Sequence, residues 1–229
     1  MKTSTKKKHS VVMIGATGAV GSETVKTLLG MDGVECLSLL GRRPLDNCSA
    51  SFVRQGTVDV FDPATYESYL VGHDTAICTF GVGEPSKVSR DEFVRIDKDA
   101  VLDFARSCKK AGIEHFQLLA SVGIHPRSKS FYLRTKGELV EELKGLGFAR
   151  LSIFQPSMIL TPTNRYGLSQ AITLKVWPLL TPLLFGGLRK YRGIAVKQLG
   201  CAIAQNITTP KTGVESLHWD DFLRLCQVP

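Results

Sequence analysis

Three side chains in this 229-residue sequence have the types and spacing for proton transfer at a carbonyl or alcohol: Ser121, Tyr132 and Lys136. A free tyrosine titrates near pKa ~10 and is a weak acid–base group at neutral pH unless a cation lies beside it. Tyr132 and Lys136 stand four positions apart, which on a helix puts them on one face and within reach of each other. Lys136 can then steady a phenolate, Tyr132 can give or take a proton, and Ser121 can hold the substrate oxygen. Such a trio needs a hydride carrier, with Lys136 also donating to its nicotinamide ribose, and the N-terminal residues offer a place for one.

There, Ser10-Val-Val-Met-Ile-Gly-Ala-Thr-Gly-Ala-Val-Gly-Ser-Glu runs an apolar strand into Gly15, Gly18 and Gly21 and then into a helix carrying Val25, Leu28 and Leu29. Gly15 permits a tight bend, Gly18 lets backbone N–H groups approach a pyrophosphate, and Gly21 lets the helix pack closely, its N-terminus toward the phosphates. The glycine spacing is a weak signal by itself; its place between a strand and a helix argues for dinucleotide binding over a ligand-free glycine-rich turn. At the end of the second predicted strand, an NAD-preferring chain carries Asp or Glu for the ribose 2′-hydroxyl, but this one has Gly41-Arg42-Arg43 and no acid before Asp46. Two guanidinium groups suit a 2′-phosphate. Charge-assisted bonds of about 1.5–3 kcal/mol each correspond to a roughly 10- to 150-fold preference, so the expected cofactor is NADP, as NADPH.

The elements that position these groups alternate. After the first helix, strands are predicted over Val34 to Leu40, around Thr57 to Val60, Thr75 to Phe80, His115 to Ser121 and Arg150 to Phe154. Asp62-Pro63 supplies an N-cap and a first-turn proline for a helix with Tyr66, Tyr69 and Leu70. Ser89 and Glu92 form a capping box for a helix whose buried face reads Phe93, Ile96, Ala100, Val101, Phe104, Ala105 and Cys108, and Gly112 closes it. Another helix spans about Phe131 to Lys144. The alternation implies α/β architecture: a Rossmann-like, doubly wound parallel sheet with a small C-terminal substrate-side region. Residues 1–9 read as a basic flexible tail, 10–229 as a single NAD(P)-binding domain, and 162–229 as its substrate-side part.

Composition agrees with a globular protein: 43% of residues are hydrophobic and 22% charged. The six cysteines are dispersed, which suits a reducing compartment, and no histidine stands at ligand spacing, so no metal is expected. Half of the formal charge of +8 comes from Lys2, Lys6, Lys7 and Lys8, so nucleic acid is not an expected partner. The tail reads as a solvated extension, with a nuclear-import patch or an anionic surface as alternatives. The apolar stretch Leu168 to Leu188 is broken by Lys175, Pro178, Pro182 and Gly186-Gly187, which argues against a spanning helix and for a buried or substrate-cleft segment, with peripheral membrane contact as the alternative. The expected location is cytoplasmic, with nuclear or outer organelle-membrane association as alternatives.

The glycine motif, Ser121 and Tyr132-Leu-Arg-Thr-Lys136 together resemble the short-chain dehydrogenase/reductase superfamily in its atypical branch. More specifically, Glu92-Phe-Val-Arg-Ile-Asp-Lys-Asp, His115-Phe-Gln-Leu-Leu-Ala-Ser, Tyr132-Leu-Arg-Thr-Lys-Gly-Glu and Phe154-Gln-Pro resemble the Tat-interacting oxidoreductase-like proteins, over about residues 10 to 162. The resemblance implies NADP contacts from Gly15, Ala16, Thr17, Gly18, Ala19, Val20 and Gly21, with Arg42 and Arg43 on the 2′-phosphate. It implies Asp59 and Val60 beside the adenine, Gly81 near the cofactor's middle, and Pro156, Met158 and Ile159 near the nicotinamide amide. Ser121, Tyr132 and Lys136 become the catalytic set. The asparagine that completes a tetrad in many members has no assigned counterpart, and residues 163 to 229 match least.

The leading functional expectation is an NADPH-dependent oxidoreductase acting on a small carbonyl or alcohol substrate. A second is an NADP-binding regulatory or scaffold protein, since the resemblance implies protein partners that include nuclear-transport factors. A nucleotide-sugar epimerase or dehydratase fits less well, because little chain follows the sixth strand. The chain is expected as a monomer or homodimer, with helix packing around residues 89 to 111 as the superfamily's suggestion for an interface.

Overall fold

The computed structural model describes residues 8–46, 48–161 and 184–227. Most of the basic tail, and residues 168–183 of the apolar stretch, lie outside them.

Strand β1 (His9–Ile14) shows how the sheet is built. Its side chains alternate between two apolar layers: Val12 and Ile14 face one core cluster, Val11 and Met13 the other. A strand buried on both faces belongs at the centre of a parallel sheet. Around it stand β2 (Val34–Gly41), β3 (Val53–Thr57), β4 (Thr75–Cys78), β5 (His115–Leu119) and β6 (Arg150–Phe154). The strands β7 (Ile159–Leu160) and β8 (Ile194–Ala195) pair separately, and β9 (Gly213–Leu217) rejoins the main sheet. The seven-stranded order is β3-β2-β1-β4-β5-β6-β9, and every pair is parallel.

The helices cover both faces. Helix α1 (Ala19–Leu29) lies on one, while α2 (Glu67–Leu70), α3 (Arg90–Val94), a π-helical turn (Arg95–Asp99), α4 (Ala100–Lys110) and α5 (Phe131–Gly145) follow before α6 (Val196–Gln205) and α7 (Trp219–Cys226). Val25 of α1, Leu199 and Ile203 of α6 and Phe222 of α7 share one core; Leu70 of α2, Phe104 of α4 and Leu139 of α5 share the other. Two predicted caps form: Ser89 Oγ accepts the Glu92 N–H at 3.1 Å, and Asp62 Oδ1 accepts the Ala64 N–H at 3.0 Å.

Three details differ from the sequence reading. The third strand lies earlier, at 53–57, because on this edge strand Arg54 can face outward and Gln55 finds backbone partners at Leu45 and Cys48, while the apolar Val58 and Val60 are buried in the turn that follows. Half-buried Ile96 yields the buried face of its helix to Asp97. The C-terminal residues are not confined to the substrate side: β9 extends the sheet beside β6, and α6 packs on α1. Gly200 makes that approach close, since a Cβ there would lie 2.6 Å from Glu23 Cβ. Phe222 of α7 stacks on Phe154 of β6 at 5.9 Å between ring centroids. At the described end of the apolar stretch, Phe185 and Leu188 are exposed. Among the described residues, no helix is long and apolar enough to cross a membrane.

Candidate active site

In this strand order the connections leave β1 and β4 in opposite directions, which opens a crevice at their carboxyl ends. The glycine turn fills that position. Gly15 has φ +87°, and a Cβ on it would lie 2.6 Å from Phe80 N. A Cβ on Gly21 would lie 2.0 Å from the Gly15 carbonyl oxygen, so α1 starts against the turn itself. Thr79 Oγ1, at the end of β4, donates to that same oxygen at 3.1 Å. Helix α1 begins after Gly18 with neither a side-chain cap nor an acidic residue in its first turn, which leaves its N-terminal donors and positive dipole end open to an anion.

Two cavities flank this turn. One is lined by Gly15, Ala16, Thr17, Arg42, Arg43, Gln55, Val60 and Phe80, among others. Both arginines are exposed. Gln55 shapes their loop by accepting the Leu45 N–H at 2.6 Å and donating to the Leu45 and Cys48 carbonyls. The other cavity, of about 350 Å³, is lined by Gly18, Ala19, Val20, Gly81, Asp97, Tyr132, Lys136, Ser157, Ile159 and Thr161, with others. A hollow lined by Val60, Phe61, Phe80, Gly81 and Arg95 joins the two.

Helix α5 brings Tyr132 and Lys136 into the second cavity. It lies hard against the preceding loop, for a Cβ on Gly137 would meet His125 C at 2.3 Å. Buried Phe93 supports Tyr132 from α3, with 5.5 Å between ring centroids. Lys136 is 5% exposed, and its Nζ lies 2.6 Å from Oδ1 of Asp97, itself 1% exposed. Burial works against the ammonium, and the Asp97 carboxylate, together with smaller contributions from Tyr132 and Cys78, offsets it, so Lys136 holds its proton above the usual lysine pKa. Burial also pushes the nearby Cys78 thiol up to about 12.

Not every expected residue reaches the crevice. Ser121 lies two residues beyond β5 and is not among those lining the second cavity, because the strand ends at Leu119 and the chain turns, with the Val122 N–H bonded to Pro156 O at 2.9 Å. Asp59 lines none of these cavities; its Oδ1 accepts the Phe61 N–H at 3.0 Å and shapes the local turn. Pro156 and Met158 are not among the residues lining the second cavity either: their carbonyls accept the Val122 and Ile194 N–H groups, each at 2.9 Å, while Ile159 lines the cavity. Ser157 falls within the stretch expected near the nicotinamide amide, whereas Asp97, Gln55 and Thr161 were not anticipated. Asp97 had a readable signal: it falls four residues after Phe93 and four before Val101, on the buried stripe of its helix.

The sheet order and the crevice at its switch point define a Rossmann-type protein with the fold of nucleotide-dependent oxidoreductases. Among solved structures, the chain superposes on MoeE5 in complex with UDP-glucuronic acid and NAD with a TM-score of 0.71, at 18% identity over 91% of this chain and 75% of that one. It also superposes on the oxidoreductase ylbE from Lactococcus lactis with a TM-score of 0.68, at 17% identity over 91% of this chain and 90% of that one. These likenesses are of fold. In sequence, the chain is 37% identical over 153 residues to protein HTATIP2 of Rattus norvegicus, an alignment that covers 66% of this chain and 63% of that protein's length. It is 31% identical over 155 residues to "Protein FMP52, mitochondrial" of Debaryomyces hansenii, covering 66% of this chain and 67% of the relative. No protein-family profile matches. The chain belongs to the family of HTATIP2 and FMP52, the Tat-interacting oxidoreductase-like group of atypical short-chain dehydrogenases/reductases.

Proposed function

We propose that the chain is an NADPH-dependent oxidoreductase that moves a hydride between NADP and a carbonyl or alcohol substrate. The observation that carries this reading is that Tyr132 and Lys136 line the same cavity as Gly18, Ala19 and Val20 at the start of α1. The residues suit the cofactor. Gly15 and Gly21 leave a cradle that side chains would fill, the uncapped α1 suits the pyrophosphate, and exposed Arg42 and Arg43 suit a 2′-phosphate. Bound NADP supplies the hydride donor or acceptor. Tyr132 exchanges a proton at the substrate oxygen, and Lys136 provides the positive charge that makes its phenolate accessible. Ser121, in the loop after β5, is assigned to the substrate oxygen. Ile159 lines the cavity and would lie beside a bound nicotinamide.

The second reading, an NADP-binding regulatory or scaffold protein, is favoured by one observation: Ser121 stands outside the cavity that holds Tyr132 and Lys136. One set of measurements separates the two. Fluorescence titration is expected to show NADPH binding more tightly than NADH, with the preference falling about tenfold or more in Arg42→Ala/Arg43→Ala. A panel of carbonyl compounds is expected to give turnover that Tyr132→Phe lowers by about 10²-fold or more while NADPH still binds. Tight NADPH binding with no turnover across the panel, and a Tyr132→Phe protein that keeps its cellular role, would favour the scaffold. We assign the chain to a reducing cytoplasmic compartment; the mitochondrial naming of fungal relatives makes cell fractionation the deciding measurement.

A further inference from the structure

Asp97 is a carboxylate that the hydride-transfer scheme leaves unused, and it is more deeply buried than Lys136. It lies in the π-helical turn between α3 and α4, a wide turn of a kind that recurs at functional sites. Gly81 leaves it room, since a Cβ there would come within 2.8 Å of Asp97 Oδ1. Its two oxygens serve different elements: Oδ1 takes the Lys136 ammonium of α5 at 2.6 Å, and Oδ2 accepts the Val82 N–H of the loop after β4 at 2.6 Å. That loop, residues 81–83, lines both the second cavity and the hollow that leads to the arginines.

We propose that Asp97 is a positioning residue that holds Lys136 charged and aimed into the cavity and ties it to the 81–83 loop, so that the reacting end and the cofactor's bed keep one geometry. This rests on the reading of Lys136 as part of a hydride-transfer site. A lysine so buried would shed its proton readily without a counter-charge. The groups facing it are Asp97 from the π-helical turn, Tyr132 from its own helix and Cys78 from β4. Cys78, pushed up to about 12, is uncharged at neutral pH, so Asp97 is the carboxylate that retains the proton on Lys136.

The test is Asp97→Asn in the full chain, which keeps an acceptor for the Val82 N–H and removes the charge. The Lys136 Nζ resonance is followed by ¹⁵N NMR across pH and assigned by its loss in Lys136→Met. Wild-type Lys136 is expected to titrate above the usual lysine value, and its acid dissociation constant is expected to rise about tenfold or more in the variant, as follows from losing an adjacent opposite charge. NADPH binding should persist, and the pH profile of hydride transfer should move to lower pH with Lys136. A wild-type Lys136 titrating below the usual value, or a dissociation constant unchanged in the variant, overturns the proposal. If Asp97→Asn does not fold, the wild-type titration still decides, and Asp97→Asn/Lys136→Met, which removes both charges, should recover folding; a double variant that also fails to fold counts against the pairing. A chain that neither binds NADPH nor turns over a carbonyl would sink the oxidoreductase reading instead, leaving the titration to judge Asp97.

Discussion

Replacing Gly21 by alanine separates the steric role of the glycine turn from its ligand role. An alanine Cβ would lie 2.0 Å from Gly15 O, 2.9 Å from Gly15 C and 2.9 Å from Thr79 Oγ1, where ordinary contact begins at 3.4 Å. Helix α1 or the turn must therefore retreat by roughly 1.4 Å at the closest point. Helix propensity favours alanine by about 1 kcal/mol, whereas overpacking costs about 1–3 kcal/mol and sometimes more. Because the closest obstruction is backbone, the upper end applies, and the net loss is about 2 kcal/mol. For a chain of this size that lowers Tm by roughly 4–8 °C. The control is Gly18→Ala, whose Cβ would meet only Gly15 O, at 3.3 Å, and whose φ of −70° suits alanine; its stability should change by no more than about 0.5 kcal/mol. Circular dichroism melts and urea unfolding of both full-length variants give the comparison. A Gly21→Ala protein melting at or above the wild type, or a Gly18→Ala protein losing as much, would refute the reasoning.

Two further predictions concern charges away from the crevice. Glu215 Oε1 accepts from Arg150 Nη2 and Ser152 Oγ, each at 2.6 Å; burial works against its carboxylate, but these bonds leave its pKa below the usual value. Its stabilisation is therefore full above the unfolded glutamate pKa of about 4.3 and lost as pH falls through the lower folded value. Glu215→Gln leaves Arg150, 4% exposed, without its carboxylate and should cost about 3–5 kcal/mol at pH 7 while flattening the acid limb, as read by urea unfolding from pH 7 to pH 3. His115 is held down to about 3, first by burial and then by the Arg150 charge, so it stays neutral when folded. Below the unfolded histidine pKa of about 6.5 the unfolded chain takes up a proton that the folded chain refuses, so stability falls as pH drops. His115→Gln, which can keep the bond to Ser152, should flatten that fall between pH 6.5 and 5; an unaltered slope would exclude His115 as its source.

What the sequence made legible was local. The glycine turn, the Ser89 cap and the strand Arg150–Phe154 each show in the residue types of one short segment. Tyr132 and Lys136 were readable because helical spacing fixes their common face. Asp97 was legible as a position on the buried stripe of its helix but not as an ion-pair partner, because what holds it there is a lysine 39 residues later together with the gap left by Gly81. The strand Gly213–Leu217 hid for a similar reason. Its Glu215 and Ser216 look like loop residues until Arg150 and Ser152 on the neighbouring strand bond Glu215, and Gln155 just beyond that strand donates to Ser216 Oγ.

The packing of α6 on α1 imposes an order in time. The helix that opens the crevice leaves the ribosome before the surface it rests on, which lies at residues 196–205, well over 150 residues later. Until those residues emerge, Val25 and Leu28 have the side chains of the sheet beneath them but lack Leu199 and Ile203, which complete their core. Completion of the nucleotide crevice thus waits for residues 196–205, and a chain cut short before them would carry the glycine motif intact yet without the helix that packs on α1.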